Sequence, residues 1–529
     1  MNEWLGAVLL VVGVLLLCRV LGIVSRSRAA LAVVQDSLMV IGDRGLDDAQ
    51  KGRALQRNAL RLFGWFLVLL LIGAAVFAIP LGLVWLASRA GLVSWDGVLQ
   101  VTLSIPFLIG TLVLTIAAVV VLSRRRRQAR AASPDGTFEN RYSGLDQSLH
   151  YVAFATVPVQ VAAASLEDRW YRKRIAKVAV DRPVFITALP RAGTTLLLNL
   201  CSRLDEFVTH TYRRMPFVLT PLLWEAYSRR FRVDDAPRER AHGDGVEVSL
   251  DSPEALEEML WLAFWEEHYD PDRTHPWSPG EQHDAFVRFF RSHMRKLAVI
   301  GDDGTTASGG PLQRRYLSKN NGNIARLAWL LETFPDARVV IPFRPPLQHA
   351  QSLLKQHRNF LEIHERDPFA RHYMAAVGHF DFGENLRPID FDGWINNTSD
   401  RDPLRLDYWL QYWTAGYNHL LEEAGDRVCF VDFDRLSREP STELARLSRF
   451  LGTSEPQKLI DASSQVRTPR SHSADMTSVP QAILDAASAV HARLVAAARR
   501  PFAFEQEDGV RQAALPELQR SRPAAHPLP

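Results

Sequence analysis

The sequence predicts an α/β domain with a largely parallel sheet flanked by helices, preceded by three transmembrane helices. Two observations lead to this fold class. Residues 1–127 hold three long apolar runs with at most one charge each, and a helix that crosses a bilayer needs about 20 apolar residues. Beyond residue 165, short apolar runs alternate with stretches at helical spacing, which is typical of a parallel sheet whose strands are joined by helices.

The three transmembrane helices are predicted at about 4–24, 62–87 and 98–122. Only the first run contains a charge, Arg19, which lies near the end of the run and can extend its side chain to the membrane surface. A cleaved signal peptide is the alternative for this run. It is disfavoured because a basic start and a small-residue cleavage site are missing, and because two more runs follow.

Basic residues beside these runs predict their orientation. Seven Lys and Arg residues lie in the 25–61 loop, and Arg124 to Arg127 follow the third run directly. By the positive-inside rule both clusters are cytoplasmic, so the amino terminus lies outside and the domain after residue 127 lies in the cytoplasm. We expect a multi-pass membrane protein in which the Arg run contacts the lipid bilayer.

The composition argues against a nucleic-acid partner and a metal site. The chain has 529 residues, and residues 128–529 hold 49 basic and 53 acidic residues, a net charge of −4. A domain that binds nucleic acid would carry a basic face. The three cysteines, Cys18, Cys201 and Cys429, are too few for a disulfide framework and lack the spacing of metal ligands.

Composition also divides the chain into four parts, namely a membrane segment 1–127, a connecting part 128–164, an α/β domain 165–512 and a tail 513–529. The connecting part begins with a linker of small and turn-forming residues. It continues with an apolar stretch, 151–164, that is too short to cross a membrane and contains Pro158, so it is predicted to be buried or interfacial. The tail is rich in Ala, Pro and Arg and is predicted to be disordered.

Within the α/β domain, the pattern predicts the strands 184–188, 339–343 and 428–433 and the helices 194–204, 323–334, 346–356 and 442–451. Pro342 is unfavourable inside the second strand because proline has no N–H to donate to a sheet ladder.

The turn between the first strand and its helix has the composition of a phosphate-binding loop. It lies in VFITALPRAGTTLL, residues 184–197. Backbone N–H groups and the positive end of a helix converge at such a turn, and Gly193 permits the close approach of an anion. The length matches the P-loop pattern GxxxxGK[ST], but Ala188 and Thr194 replace its first Gly and its Lys. The loop is therefore P-loop-like without the Mg-nucleotide chemistry, and its cation is Arg191.

This turn resembles the L-P-[RK]-[SA]-G-T-T signature of sulfotransferases, which binds the 5′-phosphosulfate of 3′-phosphoadenosine 5′-phosphosulfate (PAPS). The resemblance assigns donor binding to Pro190, Arg191, Ala192, Gly193, Thr194 and Thr195. A second segment, RVVIPFRPPLQHAQSLL, resembles the 3′-phosphate element of the family, in which Arg344 and Ser352 would bind that phosphate. Pro345 stands where the family commonly has Asp.

Two further segments fit the same family. Lys319, in YLSKNNGN, would face the phosphosulfate, and Arg467 and Arg470, in RTPRSHS, would reach the 3′-phosphate. The resemblance covers roughly residues 180–475. It is closest to bacterial membrane-linked sulfotransferases and more distant to tyrosylprotein and carbohydrate sulfotransferases. It implies PAPS as co-substrate and no metal.

Sulfuryl transfer resembles phosphoryl transfer, an in-line displacement in which cations stabilise the charge that develops on the leaving phosphate. Arg191 and Lys319 would supply these cations. The acceptor also needs a general base. We predict His210, 19 residues after Arg191, because a neutral imidazole accepts a proton at cytoplasmic pH. The alternative bases are His242 and the pair Glu254 and Glu258, which would share one face of a helix.

The sequence thus predicts a membrane-anchored sulfotransferase that transfers a sulfuryl group from PAPS to a hydroxyl or amine. The acceptor is a small molecule, glycan or lipid, such as an envelope precursor. Two alternatives stay open. A P-loop kinase or NTPase is disfavoured by the missing Lys after Gly193, and a non-catalytic membrane scaffold is disfavoured by the paired donor elements.

Overall fold

The structure is a computed structural model, and it describes residues 2–22, 48–102, 144–228, 238–239, 247–248, 252–300, 312–397, 402–466 and 479–502, with residues 26, 29, 33, 37, 104 and 107 singly. The chain divides into two compact units, Met1–Ala155 and Thr156–Pro529.

The first unit contains helices α1 to α4, which are Asn2–Val20, Asp48–Arg89, Trp95–Thr102 and Gly144–Ala155. Ala7 of α1, Val84 of α2 and Val98 of α3 belong to one small buried cluster. These contacts join the first three helices through apolar side chains.

One helix of the described residues, Gly52–Arg89, is long and apolar enough to cross a membrane. It has 38 residues, and only 17% of its most apolar window is buried. The second predicted span, 62–87, lies inside it. The first predicted span, 4–24, overlaps α1, in which the described residues contribute only a shorter apolar helix, Leu9–Cys18. The third, 98–122, lies mostly outside the described residues. Three transmembrane helices are therefore not confirmed.

A second candidate span arises only if Leu149–Ala155 and Val157–Trp170 are counted as one broken helix. These helices cover the stretch 151–164, for which the sequence predicts a buried or interfacial position.

The second unit is built on a parallel sheet, as predicted. Strands β1 to β8 are Val178–Val180, Val184–Ile186, Phe207–Val208, Arg238–Glu239, Glu247–Val248, Leu312–Lys319, Arg338–Phe343 and Val428–Asp432. The sheet has the order β1-β6-β2-β7-β8, β3 also pairs with β6, and all of these pairings are parallel. Strands β4 and β5 form a separate antiparallel pair.

Helices α5 to α19 of this unit are Val157–Trp170, Arg172–Ile175, Thr194–Cys201, Pro221–Ser228, Glu258–Leu262, Asp284–Ile300, Leu327–Thr333, Pro346–Arg366, Pro368–Ala376, Trp394–Asn397, Leu406–Glu423, Phe433–Arg438, Pro440–Leu451, Pro456–Asp461 and Gln481–Ala498.

The predicted helices are present with shifted bounds. The helix predicted at 194–204 ends at Cys201, and the one predicted at 346–356 continues to Arg366. The stretch 323–334 divides into a 3₁₀ turn and α11. Helix ends are set by tertiary contacts as much as by local sequence, so such shifts are expected.

Helices cover both faces of the sheet. Val184 and Ile186 of β2 point into one buried cluster together with Leu197 of α7. Phe185 points to the opposite face, where its ring lies 6.4 Å from Phe290 of α10. All three β2 residues are fully buried. A parallel strand covered on both faces reads as a continuous apolar run, which is why 184–188 is recognisable in the sequence.

Pro342 lies inside β7 without costing a ladder bond. Arg338 N donates to Pro183 O on the β2 side, whereas Val339 N donates to Arg427 O on the β8 side. Residue 342 therefore faces the β2 side, and β2 pairs with β7 only as far as Val340. The ladder bond that Pro342 cannot make therefore lies beyond the paired part of β2 and β7.

A buried ion network joins α5 to α10. Lys296 Nζ lies 3.2 Å from Glu167 Oε2 and 3.0 Å from Asp168 Oδ1, and it donates to Ala164 O at 2.8 Å. The other Glu167 oxygen accepts from Leu223 N at 2.7 Å. Burial raises the pKa of Glu167, so its ionised form depends on these partners.

We predict that Lys296→Met destabilises the contact between α5 and α10 by about 3 kcal/mol, because Glu167 would stay buried without its cation. Amide hydrogen exchange over 157–170 and 284–300 measures this local free energy. Lys355→Met changes an exposed Lys in the same way and serves as the control. Unchanged protection in the Lys296 variant would contradict the role of the network.

Candidate active site

The carboxyl ends of β2, β6 and β7 meet at one edge of the sheet. Ile186, the last residue of β2, pairs with Lys319 at the end of β6. Arg344 follows Phe343, which ends β7 on the other side of β2. Ligands of open α/β sheets bind outside the carboxyl ends of the strands, so this edge is where a site is expected.

The turn after β2 has a backbone that only certain residues adopt. Gly193 has φ +108°, and a Cβ at this position would lie 2.4 Å from the Phe433 ring. Arg191 also has a positive φ, 70°. Glycine is thus required both by the backbone and by the close approach of Phe433, while Arg191 is held in an uncommon conformation of the kind found at ligand sites.

His349 of α12 holds this turn in place. Trp413 Nε1 of α15 donates to His349 Nδ1 at 3.0 Å, so the proton of the imidazole is on Nε2. Nε2 in turn donates to Pro190 O at 2.8 Å. Burial lowers the pKa of His349 to about 3, which keeps the ring neutral. The shape of the turn therefore depends on two helices from the later part of the domain.

The two predicted donor elements meet at Arg191. Arg191 Nε donates to Ser352 Oγ at 3.4 Å, and Arg344 Nη1 donates to Arg191 O at 3.3 Å. Arg344 Nε is buried and has no acceptor among the described residues. Burial, followed by the charge of Arg191, lowers the pKa of Arg344. Two guanidinium groups brought together in a partly desolvated place, one with an unused donor, fit an anion.

A cleft opens beside the turn. Its lining includes Arg191, Thr194, Thr195, Lys319 and Glu254. Burial raises the pKa of Glu254, but the net shift is downward because of Lys319, a Tyr212 hydrogen bond and other polar groups. Glu254 is therefore an ionised carboxylate that faces the predicted cations.

His379 and Asp381 also line this cleft, and no motif in the sequence points to them. They follow α13, and Asp381 Oδ2 accepts from Asn321 Nδ2 at 3.1 Å. Burial and then Lys319 lower the pKa of His379, whereas burial raises the pKa of Asp381. His379 is thus neutral at cytoplasmic pH and has a nitrogen that can accept a proton.

His210 lies in the core and is absent from the lining of this cleft and of the neighbouring one. Its side chain is 1% exposed, and its Nε2 lies 2.9 Å from Nε2 of His293. Burial lowers its pKa to about 3. The backbone of His210 does act near the site, because His210 O accepts from Glu254 N at 2.9 Å. The prediction that His210 is the base is therefore not supported by its position.

The carboxylate of Glu258 is already occupied by hydrogen bonds inside the domain. Its carboxylate accepts from Tyr269 Oη at 2.5 Å and from Asn320 Nδ2 at 2.7 Å, and it also pairs with Arg326. Helix α9 begins at Glu258, so Glu254 lies before the helix and the two carboxylates do not share a helix face as predicted. A carboxylate with three donors has little capacity left to accept a substrate proton.

The remaining predicted residues are partly described. Pro190 and Ala192 are buried within the turn, where their backbone shapes it. His242, Arg467 and Arg470 lie outside the described residues. No group of three or more His, Cys, Asp or Glu side chains that could hold a metal occurs among the residues that the structure describes.

Comparison with known proteins identifies the domain. Residues 183–391 match the sulfotransferase family. No curated protein matches the chain.

Several solved structures are similar. Sulfotransferase STF9 from Mycobacterium avium has a TM-score of 0.39 and 14% identity, covering 69% of this chain and 86% of that chain. Sulfotransferase STF1 from Mycobacterium tuberculosis H37Rv has a TM-score of 0.33 and 14% identity, covering 66% and 86%. A sulfotransferase from Alicyclobacillus acidocaldarius has a TM-score of 0.31 and 16% identity, covering 61% and 98%.

The family match includes the turn after β2, Lys319, Arg344 and Ser352. Residues 183–391 are therefore the sulfotransferase domain of a sulfotransferase enzyme.

Proposed function

We propose that the protein transfers the sulfuryl group of PAPS to a hydroxyl or amine of a membrane-associated acceptor. The observation that carries this proposal is the contact of Arg191 with both Arg344 and Ser352. The resemblance assigns Arg191 to the 5′-phosphosulfate, and it assigns the other two residues to the 3′-phosphate. PAPS carries both groups on one ribose, so its two binding elements must lie side by side.

The transfer needs no covalent enzyme intermediate. The acceptor oxygen or nitrogen attacks the sulfur, the bond between sulfur and the 5′-phosphate oxygen breaks, and adenosine 3′,5′-bisphosphate leaves. Negative charge then collects on the 5′-phosphate. Arg191, Lys319 and the N–H groups at the start of α7 are the donors that stabilise it.

We propose His379 as the general base that takes the acceptor proton. It lines the same cleft as Arg191 and Lys319. Burial and Lys319 lower its pKa, so its ring is neutral at cytoplasmic pH and keeps a nitrogen that can accept a proton. In this proposal Glu254 balances the charge of Lys319. It is also the second candidate for the base, since it lies in the same cleft.

A neighbouring cleft is the proposed acceptor side. It shares Pro190, Lys319 and His379 with the donor cleft and continues toward Phe380 and Tyr412. Its polar and aromatic lining suits a small molecule, a glycan or the polar part of a lipid. Nucleic acid is not an expected acceptor, given the acidic balance of residues 128–529.

The kinase or NTPase alternative has less support. The position of the P-loop Lys is occupied by Thr194, which is buried at the start of α7. The non-catalytic scaffold also has less support, because the family match includes the residues of both donor elements.

We predict that the full chain binds adenosine 3′,5′-bisphosphate without added metal, and that PAPS displaces it whereas Mg-ATP does not. Arg344→Ala should weaken this binding about 10- to 100-fold, because a charge-assisted hydrogen bond contributes about 1.5–3 kcal/mol. Affinity for adenosine 5′-phosphosulfate should hardly change. Titration calorimetry measures both ligands.

The matched control is Lys355→Ala, which removes an exposed cation from the same helix, α12, as Ser352. If Arg344→Ala weakens both ligands equally, Arg344 acts on the turn through its contact with Arg191 O, and its assignment to the 3′-phosphate fails. Displacement by Mg-ATP would favour the kinase alternative.

We predict that His379→Gln lowers the rate of transfer from sulfur-labelled PAPS to a membrane extract by about 10²–10⁴-fold, while adenosine 3′,5′-bisphosphate binding is retained. In the unchanged enzyme the rate should fall as pH drops through the pKa of His379. Burial and Lys319 hold this value below the usual 6.5, and protonation removes the accepting nitrogen. The variant should lose this acidic limb.

His210→Gln is the control, since it changes a buried His remote from the lining. If Glu254→Gln abolishes transfer while His379→Gln leaves it intact, Glu254 is the base. A large loss of rate in His210→Gln with intact folding would restore the prediction made from the sequence.

We further propose that the chain is a multi-pass protein of a bacterial inner membrane with a cytoplasmic sulfotransferase domain. Support comes from the helix Gly52–Arg89 and from the basic residues at 25–61 and 124–127. PAPS is made in the cytoplasm, so an enzyme domain on the other side would lack its donor.

Reporter fusions after residue 95 and after residue 130 are expected to report opposite sides of the membrane, with the second inside. A cytoplasmic reporter joined at the carboxyl terminus gives an independent check of the domain. The same side for both internal fusions would be incompatible with a third span.

A further inference from the structure

Helix α5, Val157–Trp170, buries two polar residues beside Ala164 and exposes three large apolar ones. Gln160 and Glu167 are buried. Val159, Leu166 and Trp170 are 65%, 48% and 67% exposed. A helix on the surface of a water-soluble domain has the reverse arrangement, with its apolar face against the core.

Buried polar contacts fix the rotation of α5 about its own axis. Glu167 bonds both Lys296 and the N–H of Leu223, and Lys296 also reaches Asp168. These buried polar contacts belong to one side of the helix, so α5 cannot turn its apolar side inward without leaving Lys296 buried and unpaired. The exposed apolar side is therefore a stable feature of the fold.

A cluster of cations follows the apolar side at the carboxyl end of α5. Arg169, Arg172, Lys173 and Lys177 are exposed, and none of the four has an ion-pair partner among the described residues. The acidic residues within 157–177 are Glu167 and Asp168, and both contact Lys296. Residues 157–177 hold five basic residues, the fifth being Arg174, and two acidic ones, so the segment keeps a net charge of +3.

We propose that the outer side of α5 and these four cations, here named the α5 surface, lie in the interface of an anionic bilayer. Apolar side chains enter the boundary between headgroups and acyl chains, Trp170 occupies the depth that indole prefers, and the cations contact lipid phosphates. The same chain carries the apolar helix Gly52–Arg89, so a bilayer is within reach of the domain. This inference goes beyond sulfuryl transfer and does not depend on it.

The test places a probe on the α5 surface of the full chain. Ser165 is exposed on α5, and Ser165→Cys can carry an environment-sensitive fluorophore in a Cys18→Ser background. Cys201 and Cys429 are buried and need no replacement. Single copies are held in nanodiscs of phosphatidylcholine alone, or of equal parts phosphatidylcholine and phosphatidylglycerol. Some of the lipids carry a nitroxide near the headgroup.

We expect strong quenching of the fluorophore at position 165 in the discs that contain phosphatidylglycerol, and weak quenching in phosphatidylcholine or at high salt. A probe at Ser488→Cys on α19, which is also exposed, reports lipid proximity that is not specific to the α5 surface. It should remain unquenched in both lipids.

The charge variant replaces Arg169, Arg172, Lys173 and Lys177 by Gln. Each basic residue near an anionic surface strengthens binding about fivefold, so docking of the α5 surface should weaken at least about 100-fold. The matched control replaces the exposed Arg203, Arg438, Arg499 and Arg500 by Gln and should dock like the unchanged chain. Equal binding of adenosine 3′,5′-bisphosphate by all variants shows that the domain is folded.

Three results would overturn the proposal. They are absence of quenching at position 165 in either lipid, equal quenching in both lipids, and full docking by the charge variant. If the fluorophore is shielded without lipid contact, another segment of the chain covers the surface and the proposal fails. Crosslinking of two chains through the Ser165→Cys thiol in proteoliposomes, with no quenching by lipid, would identify a second copy as the occupant instead.

Discussion

The hydrogen-bond relay from Trp413 through His349 to Pro190 is the contact on which the rest of the site depends. A neutral imidazole can accept the indole proton on one nitrogen and donate to a carbonyl from the other. Protonation would remove the first of these bonds. Because burial keeps the pKa of His349 near 3, the relay persists across the whole physiological range of pH.

The relay also couples the two halves of the donor site. His349 and Ser352 are three residues apart on α12, so they lie on the same face of the helix. His349 fixes the carbonyl before Arg191, while Ser352 accepts from the side chain of Arg191. A single rigid helix therefore sets the distance between the proposed 5′ and 3′ phosphate positions, and the ligand need not order the turn on binding.

The sequence pointed to the residues of this site through the resemblance, and the strand order explains why they lie together. Parallel strands bring their carboxyl ends to one edge, so the turn after β2, Lys319 at the end of β6 and Arg344 after β7 lie at the same edge, although β6 is not among the strands predicted from the sequence. His379 and Asp381 could not be found this way, because they follow a helix, α13, whose path depends on tertiary packing. His210 shows that the sequence does not predict side-chain direction. Its segment reaches the site, but only its backbone contacts a residue there. Its ring turns into the core toward His293, a residue 83 positions away.

Two helices of this chain expose apolar side chains on their outer surface. The helix Gly52–Arg89 does so along its length, and α5 does so on one side. Exposed apolar area in water costs about 25 cal/mol per Å², and a contiguous patch of it marks an interaction site. The buried contacts of Glu167 with Lys296 oppose a rotation of α5 that would bury this area, because a helix turned over would separate a buried ion pair at a cost of about 3–5 kcal/mol. The buried contacts of Glu167 thus keep Val159, Leu166 and Trp170 on the outer side of α5, where an apolar partner can contact them.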